Sequence, residues 1–374
     1  MKGWMLHSSA TGHGVPEKRK VPGVRYATAC DGVELPVVDV TDPRFVITLR
    51  DNEQAQLVEQ FLREGQPFAR APAPIRRALM RLFLRRSILG RAIQRAEGTF
   101  MTGMDTYLLK LGPENLPTAL ATPVDRRIAA SLPALSVRIR MQDVARLLAD
   151  SIETRLEEAP QRLLHLVSIG GGPAIECLNA LVLLQRDHPE LLAERHMVVT
   201  TLDPDAGAAT FGARALDALR EIGAPLHGLD VAFRHRVYDW RRPTELADAL
   251  AVVDGDPIVA ASSEGGLFEY GSDDDIRANL EHLHDAAIQC TLATGSVTRA
   301  DEPVQRLRAL SRPTTRPRGL DAFRRLAGEA GWRVVRAIER PFSDQVLLQP
   351  ATRAEADRGG DDPLFCGTGP DGRS

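Results

Sequence analysis

The sequence contains no run of about 18 consecutive apolar residues, the length that a membrane-spanning helix requires. It does not open on a secretory signal, and it has few cysteines. The four are too scattered for a zinc site or a disulfide framework: Cys30, Cys177, Cys290 and Cys366. These absences predict a cytoplasmic protein that has no membrane span and no bound metal.

An excess of either charge is also lacking, since 47 basic residues face 50 acidic ones and the net charge is −3. No nucleic-acid partner is therefore expected. Lysine is scarce, and arginine supplies most of the positive charge. Arginines and an apolar stripe alternate at helical spacing over Ile75–Ala96, which predicts one amphipathic helix. A solvated basic face, an acidic partner and an anionic membrane surface are the interpretations that this helix leaves open.

The 374 residues suffice for one large α/β domain and a smaller unit. We predict a flexible tail, a mostly helical cap that binds substrate, a Rossmann-like domain and a disordered tail, over residues 1–23, 24–160, 161–350 and 351–374. Within the cap the pattern predicts a short strand at Val33–Val40, helices at Asn52–Arg63 and Gln142–Leu156, and a loop leading into a helix at Gly103–Pro113.

An apolar run at Leu163–Ile169 ends in Gly170, Gly171 and Gly172, and a helical pattern follows at once. A strand of a parallel sheet has such a run, because both of its faces are buried. Glycines allow a sharp turn and a ligand close to the backbone, and the next helix directs its N-terminal amides at that ligand. The segment predicts a site for a nucleotide or a nucleotide-like molecule.

Alternating strand and helix patterns continue to residue 349 and predict a mostly parallel sheet. The last two strands are close enough in sequence to form a hairpin, so the final strand should be antiparallel. The predicted strands are Leu163–Ile169, Met197–Leu202, Asp230–Tyr238, Pro257–Ser262, Ile288–Gly295, Trp332–Glu339 and Ser343–Gln349.

Polar residues follow several of these strands, at the edge where an α/β sheet binds its ligand. Asp203 follows the second strand, where its two oxygens suit the hydroxyls of a ribose. Asp239 follows the third strand and suits the amine of an adenine, with Trp240 near enough to stack. Ser262 is the last residue of the fourth strand, and Glu264 follows it.

From about Leu163 to Gln349 the sequence resembles the class I S-adenosylmethionine-dependent methyltransferases. The resemblance lies in four segments: Val167–Ala174, Leu202–Asp205, Val237–Trp240, and Leu326–Trp332 with the two closing strands. It implies a Rossmann-like sheet with an antiparallel last strand, and S-adenosyl-L-methionine as the cofactor. Ser168 stands where the family has an acid, and it joins the expected cofactor-binding set with the glycines, Asp203, Asp239, Trp240 and Ser262.

The segment Ser263–Tyr270 is similar to the Glu-Gly-Leu-Leu-x-Tyr element of the leucine carboxyl methyltransferase-like branch. That likeness implies an arginine ahead of the first strand that pairs with the cofactor carboxylate, and Arg138 and Arg140 are the candidates. For a polar contact in the active site, the first choice is Glu264 and the second is Tyr270.

The resulting prediction is a methyltransferase that acts on a small-molecule acceptor. The polar segment Thr298–Gly319 is rich in arginine and proline, and a planar guanidinium suits carboxylate or phosphate. We therefore expect Arg312, Arg316 and Arg318 to hold an anionic group, with Tyr107 of the cap also at the substrate; a solvated loop is the alternative. A non-catalytic S-adenosylmethionine-binding protein and an NAD(P)-dependent oxidoreductase are the other functions considered, and a homodimer is one assembly that the sequence permits.

Overall fold

The computed structural model describes residues 20–69, 75, 82, 84, 85, 87–96, 99–117, 121–250, 256–285, 290–311 and 314–351. The two predicted tails lie almost entirely outside these residues. No helix in the described ranges combines the length and apolar character needed to cross a bilayer.

The chain begins with an antiparallel hairpin of β1 (Tyr26–Thr28) and β2 (Glu34–Pro36). The single strand predicted at Val33–Val40 is therefore wrong in its extent. Beyond Pro36 the backbone leaves the hairpin because side chains capture it. The Tyr107 hydroxyl donates to the Pro36 carbonyl and accepts from the Val38 amide, and Asn179 accepts from the Val40 amide.

Five helices form most of the described part of the cap: α1 (Asp51–Ala69), α2 (Ile88–Arg95), α3 (Gly103–Asn115), α4 (Pro123–Ala129) and α5 (Leu132–Glu158). Helices α1 and α5 contain the two predicted helices and extend beyond them. The predicted loop at Gly103 is wrong, since α3 begins there with Thr102 as its N-cap.

The continuous helix predicted over Ile75–Ala96 is wrong at Ser87. Its backbone is extended there (φ −117°, ψ 140°), and its hydroxyl accepts from the Gly90 amide and so caps α2. The same hydroxyl donates to the buried Asp125 carboxylate. These two bonds begin a new helix where the apolar periodicity alone predicts none.

The seven strands of the main sheet are β3 (Leu164–Ile169), β4 (Met197–Leu202), β5 (Val231–Arg236), β6 (Ile258–Ser263), β7 (Cys290–Thr298), β8 (Trp332–Glu339) and β9 (Ser343–Pro350). Their order is β5-β4-β3-β6-β7-β9-β8. The pairs from β5 to β7 are parallel, and β9 is antiparallel to both of its neighbours. The predicted mostly parallel sheet with an antiparallel last strand is confirmed.

The connecting helices are α6 (Ile175–Asp187), α7 (Ala206–Arg220), α8 (Leu246–Leu250), α9 (Leu267–Tyr270), α10 (Asp273–His284), α11 (Glu302–Ser311) and α12 (Leu320–Glu329). Every residue of β3 is buried, because one apolar cluster covers each face of the sheet. Helix α5 packs along α6 and α3, which joins the cap to the sheet.

Helix α11 lies within the segment that the sequence presents as a polar loop. Val304 and Leu307 lie three residues apart on it and pack against Leu132, Phe61 and Phe342. This small third apolar cluster provides the burial that a helix with several arginines needs.

Candidate active site

A cavity of about 1770 Å³ lies between the cap and the carboxyl ends of the parallel strands. Known pockets for one small ligand measure roughly 300–1,000 Å³. The cavity therefore has room for a cofactor and a second molecule side by side. Its walls include residues of the glycine turn, the segments after β4, β5 and β6, and helices α1, α3, α5 and α11.

The glycine turn connects β3 to α6, and two of its residues have left-handed backbone (Gly170 φ 67°, Gly172 φ 59°). The first turn of α3 packs directly on it. A β-carbon at Gly172 would lie 2.8 Å from the Cα of Gly103, so this approach needs glycine on both sides. The contact places α3, and with it Lys110, at the base of the cavity.

Asp203 follows β4 and lines the cavity next to the glycine turn. Its Oδ2 accepts from the Gly172 amide at 2.9 Å, and its Oδ1 accepts from the Asp205 amide at 2.8 Å. Burial raises the pKa of Asp203, and these two hydrogen bonds oppose the rise. Each carboxylate oxygen keeps a second lone pair, so the side chain can still accept from the two hydroxyls of a ribose.

Trp240 and Asp239 follow β5 and line the same wall. A β-carbon at Gly170 would lie 2.8 Å from the Trp240 ring, so the indole packs directly on the turn. The Asp239 carboxylate accepts from the Arg241 guanidinium at 2.6 Å, and this bond lowers the pKa of Asp239. Asp239 is thus an ionised acceptor beside an aromatic surface.

Ser168 and Ser262 do not line the cavity, so their position does not support the prediction that they contact the cofactor. Both lie beneath the glycine turn, and both hydroxyls donate to Oε1 of Glu176, Ser262 at 2.9 Å. Gly172 is also absent from the cavity wall and contributes through its amide bond to Asp203.

Glu176 is a residue of this region that the sequence reasoning missed. It is fully buried in the first turn of α6, and its Oε2 has no hydrogen-bond partner among the described residues. Burial raises the pKa of Glu176, and the positive charge of Lys110 only partly opposes this. A β-carbon at Gly171 would lie 2.9 Å from Oε1 of Glu176, so the carboxyl group fills the space below the glycine turn. The sequence did carry a signal for this residue, because Glu176 is an acid among apolar residues in the first turn of the helix.

Glu176→Gln should become more stabilising relative to the wild type as the pH rises. The raised pKa means that Glu176 supports the folded state in its neutral form, which is lost as the pH rises through the folded-state pKa. Glutamine stays neutral throughout. Urea unfolding at about pH 5 and about pH 8, both above the ordinary pKa of a glutamate side chain, measures how this difference in stability changes. Glu158→Gln, at an exposed site, is the control, and a pH-independent difference for Glu176→Gln would contradict the assignment.

A four-residue charge cluster forms the base of the cavity: Lys110, Arg140, Glu264 and Glu269. Glu264 accepts from the Lys110 ammonium at 2.6 Å and from the Arg140 Nε at 2.7 Å. Arg140 also donates to Glu269 at 2.7 Å. The side chains of Lys110 and Glu264 are each 2% exposed, so their pairing takes place out of water.

The pKa values distinguish the two glutamates of the charge cluster. Burial alone would raise the pKa of Glu264, but Lys110 and Arg140 outweigh it, and the pKa falls below its ordinary value. Glu264 is therefore a carboxylate whose negative charge is balanced by Lys110 and Arg140. It lines the cavity, where a polar contact was predicted. Burial raises the pKa of Glu269 despite its bond to Arg140.

Lys110 and Glu269 were missed by the sequence reasoning. Lys110 carried a usable signal, because it is the only lysine after residue 20 and it interrupts the apolar run Tyr107–Leu111. A charge in such a run is buried unless the helix turns it outward, and a buried lysine requires a partner. Glu269 had no comparable signal in the sequence.

Tyr270 lines the cavity next to Phe100, with ring centroids 6.0 Å apart, and Phe100 lies equally far from Trp240. Burial raises the pKa of Tyr270, so its phenol is neutral and available as a donor. Phe100 was not predicted at the site.

Arg138 and Tyr107 lie outside the cavity, contrary to prediction. The Arg138 guanidinium covers Gly112 on α3. Tyr107 is fully buried and ties the cap backbone together through Pro36 and Val38. Of the two candidate arginines, only Arg140 therefore faces the cavity.

The three arginines predicted to hold an anionic group have different outcomes. Arg316 lines the cavity, and its amide donates to the Glu269 carbonyl at 2.8 Å. Arg318 does not line it, because its guanidinium donates to Asp273 at 2.6 Å and to the carbonyls of Phe268 and Gly271. Arg312 lies outside the described residues. Arg308, on α11, is a further arginine of the wall.

Comparisons with known proteins find similarity at the level of the fold alone. No protein-family model matches the chain, and no curated protein has a significant sequence match. Among solved structures, a possible exported protein from Bordetella parapertussis has a TM-score of 0.51 and 17% identity over 82% of this chain and 100% of its own.

Two enzymes are also similar at lower scores. Magnesium protoporphyrin IX methyltransferase from Synechocystis PCC 6803, with bound S-adenosylhomocysteine, has a TM-score of 0.39 and 14% identity over 59% of this chain and 89% of its own. The 1,6-didemethyltoxoflavin-N1-methyltransferase of Burkholderia thailandensis has a TM-score of 0.36 and 14% identity over 57% of this chain and 79% of its own.

The mostly parallel sheet, with antiparallel β9 inserted between β7 and β8, agrees with the Rossmann-like sheet and antiparallel last strand that the sequence resemblance implies. The chain has the fold of the class I S-adenosylmethionine-dependent methyltransferases.

Proposed function

We propose that this protein is a methyltransferase that binds S-adenosylmethionine and methylates a small-molecule acceptor. One observation carries the proposal: Gly170, Asp203 and Trp240 lie on one wall of a large cavity at the carboxyl ends of β3, β4 and β5. Asp203 accepts from the ribose hydroxyls in this arrangement. Trp240 lies along the adenine, and Asp239 accepts from its amine.

The charge cluster suits the amino-acid end of the cofactor. That end carries a carboxylate and an ammonium, and the cluster presents two cations and two carboxyl groups to the cavity. We propose that Arg140, with Lys110 nearby, binds the carboxylate of the cofactor. Its ammonium would then lie beside the two glutamates of the charge cluster. Each charge then meets its opposite in a site with little water, where such pairing is strong.

Bound S-adenosylmethionine supplies a methyl group on a positively charged sulfur, and this charge disappears during transfer. Alignment of the acceptor and exclusion of water therefore matter most for the rate. Gly170, Asp203 and Trp240 form what is here called the cofactor wall. Phe100 lines the cavity with its ring 6.0 Å from those of Trp240 and Tyr270, so Tyr270 lies close to this wall. We assign Tyr270 to holding the acceptor by donating from its neutral phenol, and Arg316 to holding an anionic group of the same molecule.

A non-catalytic S-adenosylmethionine-binding protein would use the same wall without turnover, and an NAD(P)-dependent oxidoreductase would use it for a dinucleotide. The space beyond the cofactor wall favours catalysis over mere binding, because a second molecule fits there. The glycines lack the G-x-G-x-x-G spacing of dinucleotide enzymes.

Calorimetric titration with S-adenosylmethionine, S-adenosylhomocysteine and NADP tests the proposal. We expect the first two to bind and NADP to fail; binding of NADP alone would overturn the assignment. Release of S-adenosylhomocysteine in a screen of small-molecule acceptors then separates the enzyme from the non-catalytic protein. With an acceptor in hand, Arg316→Gln should raise its KM and leave S-adenosylhomocysteine affinity unchanged.

Tryptophan fluorescence tests the cofactor orientation separately. S-adenosylhomocysteine should quench or shift the emission, and Trp240→Phe should remove most of that response because the indole lies on the glycine turn. Trp332→Phe is the matched control, since Trp332 is buried in β8 and donates to the Leu280 carbonyl away from the cavity. If the response persists in Trp240→Phe and vanishes in Trp332→Phe, the adenine assignment is wrong.

A further inference from the structure

The cavity continues past the cofactor wall into an apolar region, here called the cap end. It is formed by side chains of α1, α5, α11 and the β8–β9 turn, namely Leu57, Phe61, Leu132, Val304, Leu307 and Phe342. These six residues belong to the small third apolar cluster, which is separate from the two clusters that cover the sheet. The cap end is thus a second hydrophobic surface inside the same cavity.

The cap end is lined but not filled by its own side chains. Leu132, Val304 and Phe342 are buried, whereas Leu57, Phe61 and Leu307 are only partly buried although all six lie in one cluster. Phe61 and Phe342 meet edge to face with ring centroids 5.4 Å apart. Apolar side chains that remain partly accessible inside a cavity gain from an apolar occupant, because both surfaces then leave water.

Charge at the cap end is sparse. Among the described residues of α1, α5 and α11 that line the cavity, the charged ones are Glu64 and Arg308, which are exposed, and Arg140, which pairs with Glu264 and Glu269 in the charge cluster. A polar or highly charged acceptor would find few partners along this surface and would lose its hydration. The chemistry of the wall therefore selects an occupant that is itself mostly apolar.

We propose that the acceptor is a large, predominantly hydrophobic small molecule whose apolar body lies against the cap end. The assignment of this molecule as the methyl acceptor rests on the proposed function. Its reacting group would lie beside Phe100 and Tyr270, and its anionic group would lie at Arg316. The cavity volume supports this, since about 1770 Å³ exceeds what one ordinary ligand needs.

The neutral probe N-phenyl-1-naphthylamine tests the proposal on the full chain without knowledge of the natural acceptor. Its fluorescence rises in apolar surroundings, and we expect saturable binding to one site, retained at saturating S-adenosylhomocysteine. Leu57→Glu places a charge in the cap end and should weaken probe binding at least tenfold. Ala130→Phe, which fills part of the same cavity, should weaken it as well without leaving a void.

Ile222→Glu is the matched control, because Ile222 is 86% exposed and lies outside the cavity. It should bind the probe like the wild type, and S-adenosylhomocysteine affinity in all three variants should confirm that they are folded. Failure of the probe to bind a wild type that binds S-adenosylhomocysteine would overturn the proposal, as would unchanged probe binding in both cavity variants. Probe binding without S-adenosylhomocysteine binding would support a hydrophobic ligand site and overturn the proposed methyltransferase function.

Discussion

Lys110→Met should destabilise the folded protein by about 3–5 kcal/mol, the cost of removing one partner from a buried ion pair. The substitution replaces lysine by an unbranched side chain that is one atom shorter, and it leaves Glu264 charged, 2% exposed and held by Arg140 alone. A single cation on one oxygen does not replace the hydration that burial removed. Urea unfolding followed by circular dichroism measures the change in the free energy of unfolding.

The double variant Lys110→Met, Glu264→Gln should recover much of that loss, because a neutral amide then replaces the unpaired charge beside the introduced thioether. Arg155→Met provides the exposed counterpart, since its partner Glu158 lies 3.1 Å away and both side chains are more than half exposed. Its cost should stay within about 1 kcal/mol, the usual value of a surface pair. Equal costs for Lys110→Met and Arg155→Met would show that the buried pairing contributes no more than a surface contact.

The parallel sheet could be predicted from the sequence because its signals are local. Buried strands such as β3 and β4 are continuous apolar runs, and each is followed by glycine or an acid where the chain turns. The closing hairpin of β8 and β9 could also be predicted, because only a short spacing separates the two strand patterns. Alternation of strand and helix then leaves few topologies.

The cap was harder to predict because long-range contacts decide its breaks. Ser87 ends one helical stretch and starts another through its bond to Asp125, which lies 38 residues away. The spacing of apolar residues in the sequence does not indicate that partner. Similarly, α11 becomes a helix since its Val304 side packs on α5 and the β8–β9 turn, although its arginines make the segment resemble a loop.

The site residues divide in the same way. Asp203 and Trp240 were identifiable because a strand end fixes their location on the sheet edge. Arg140 and Glu264 were identified, but their mutual pairing was not, since 124 residues separate them. Ser168 shows the converse: a residue in the motif faces away from the cavity, and the acid of α6 lies beneath the turn with it.

Asp203→Ala should lower the affinity for S-adenosylhomocysteine by roughly 10- to 100-fold, which corresponds to the loss of about 1.5–3 kcal/mol from hydrogen bonds to a charged acceptor. In the proposed complex the carboxylate accepts from the ribose hydroxyls. It also accepts from the Gly172 and Asp205 amides, so alanine loosens the turn that the cofactor would contact. Calorimetric titration measures the affinity, and urea unfolding measures the accompanying loss of stability.

Asp205→Ala separates these two effects, because Asp205 is also an acid of the same loop and lines the same cavity. Its carboxylate accepts from the Gly207 and Ala208 amides and so caps α7. Losing this cap should cost about 1 kcal/mol of stability. Affinity for S-adenosylhomocysteine should stay close to that of the wild type, since the Asp205 side chain is committed to the helix. If both alanine variants lost affinity equally, loop stability would explain the effect, and the ribose would have to bind elsewhere on the wall.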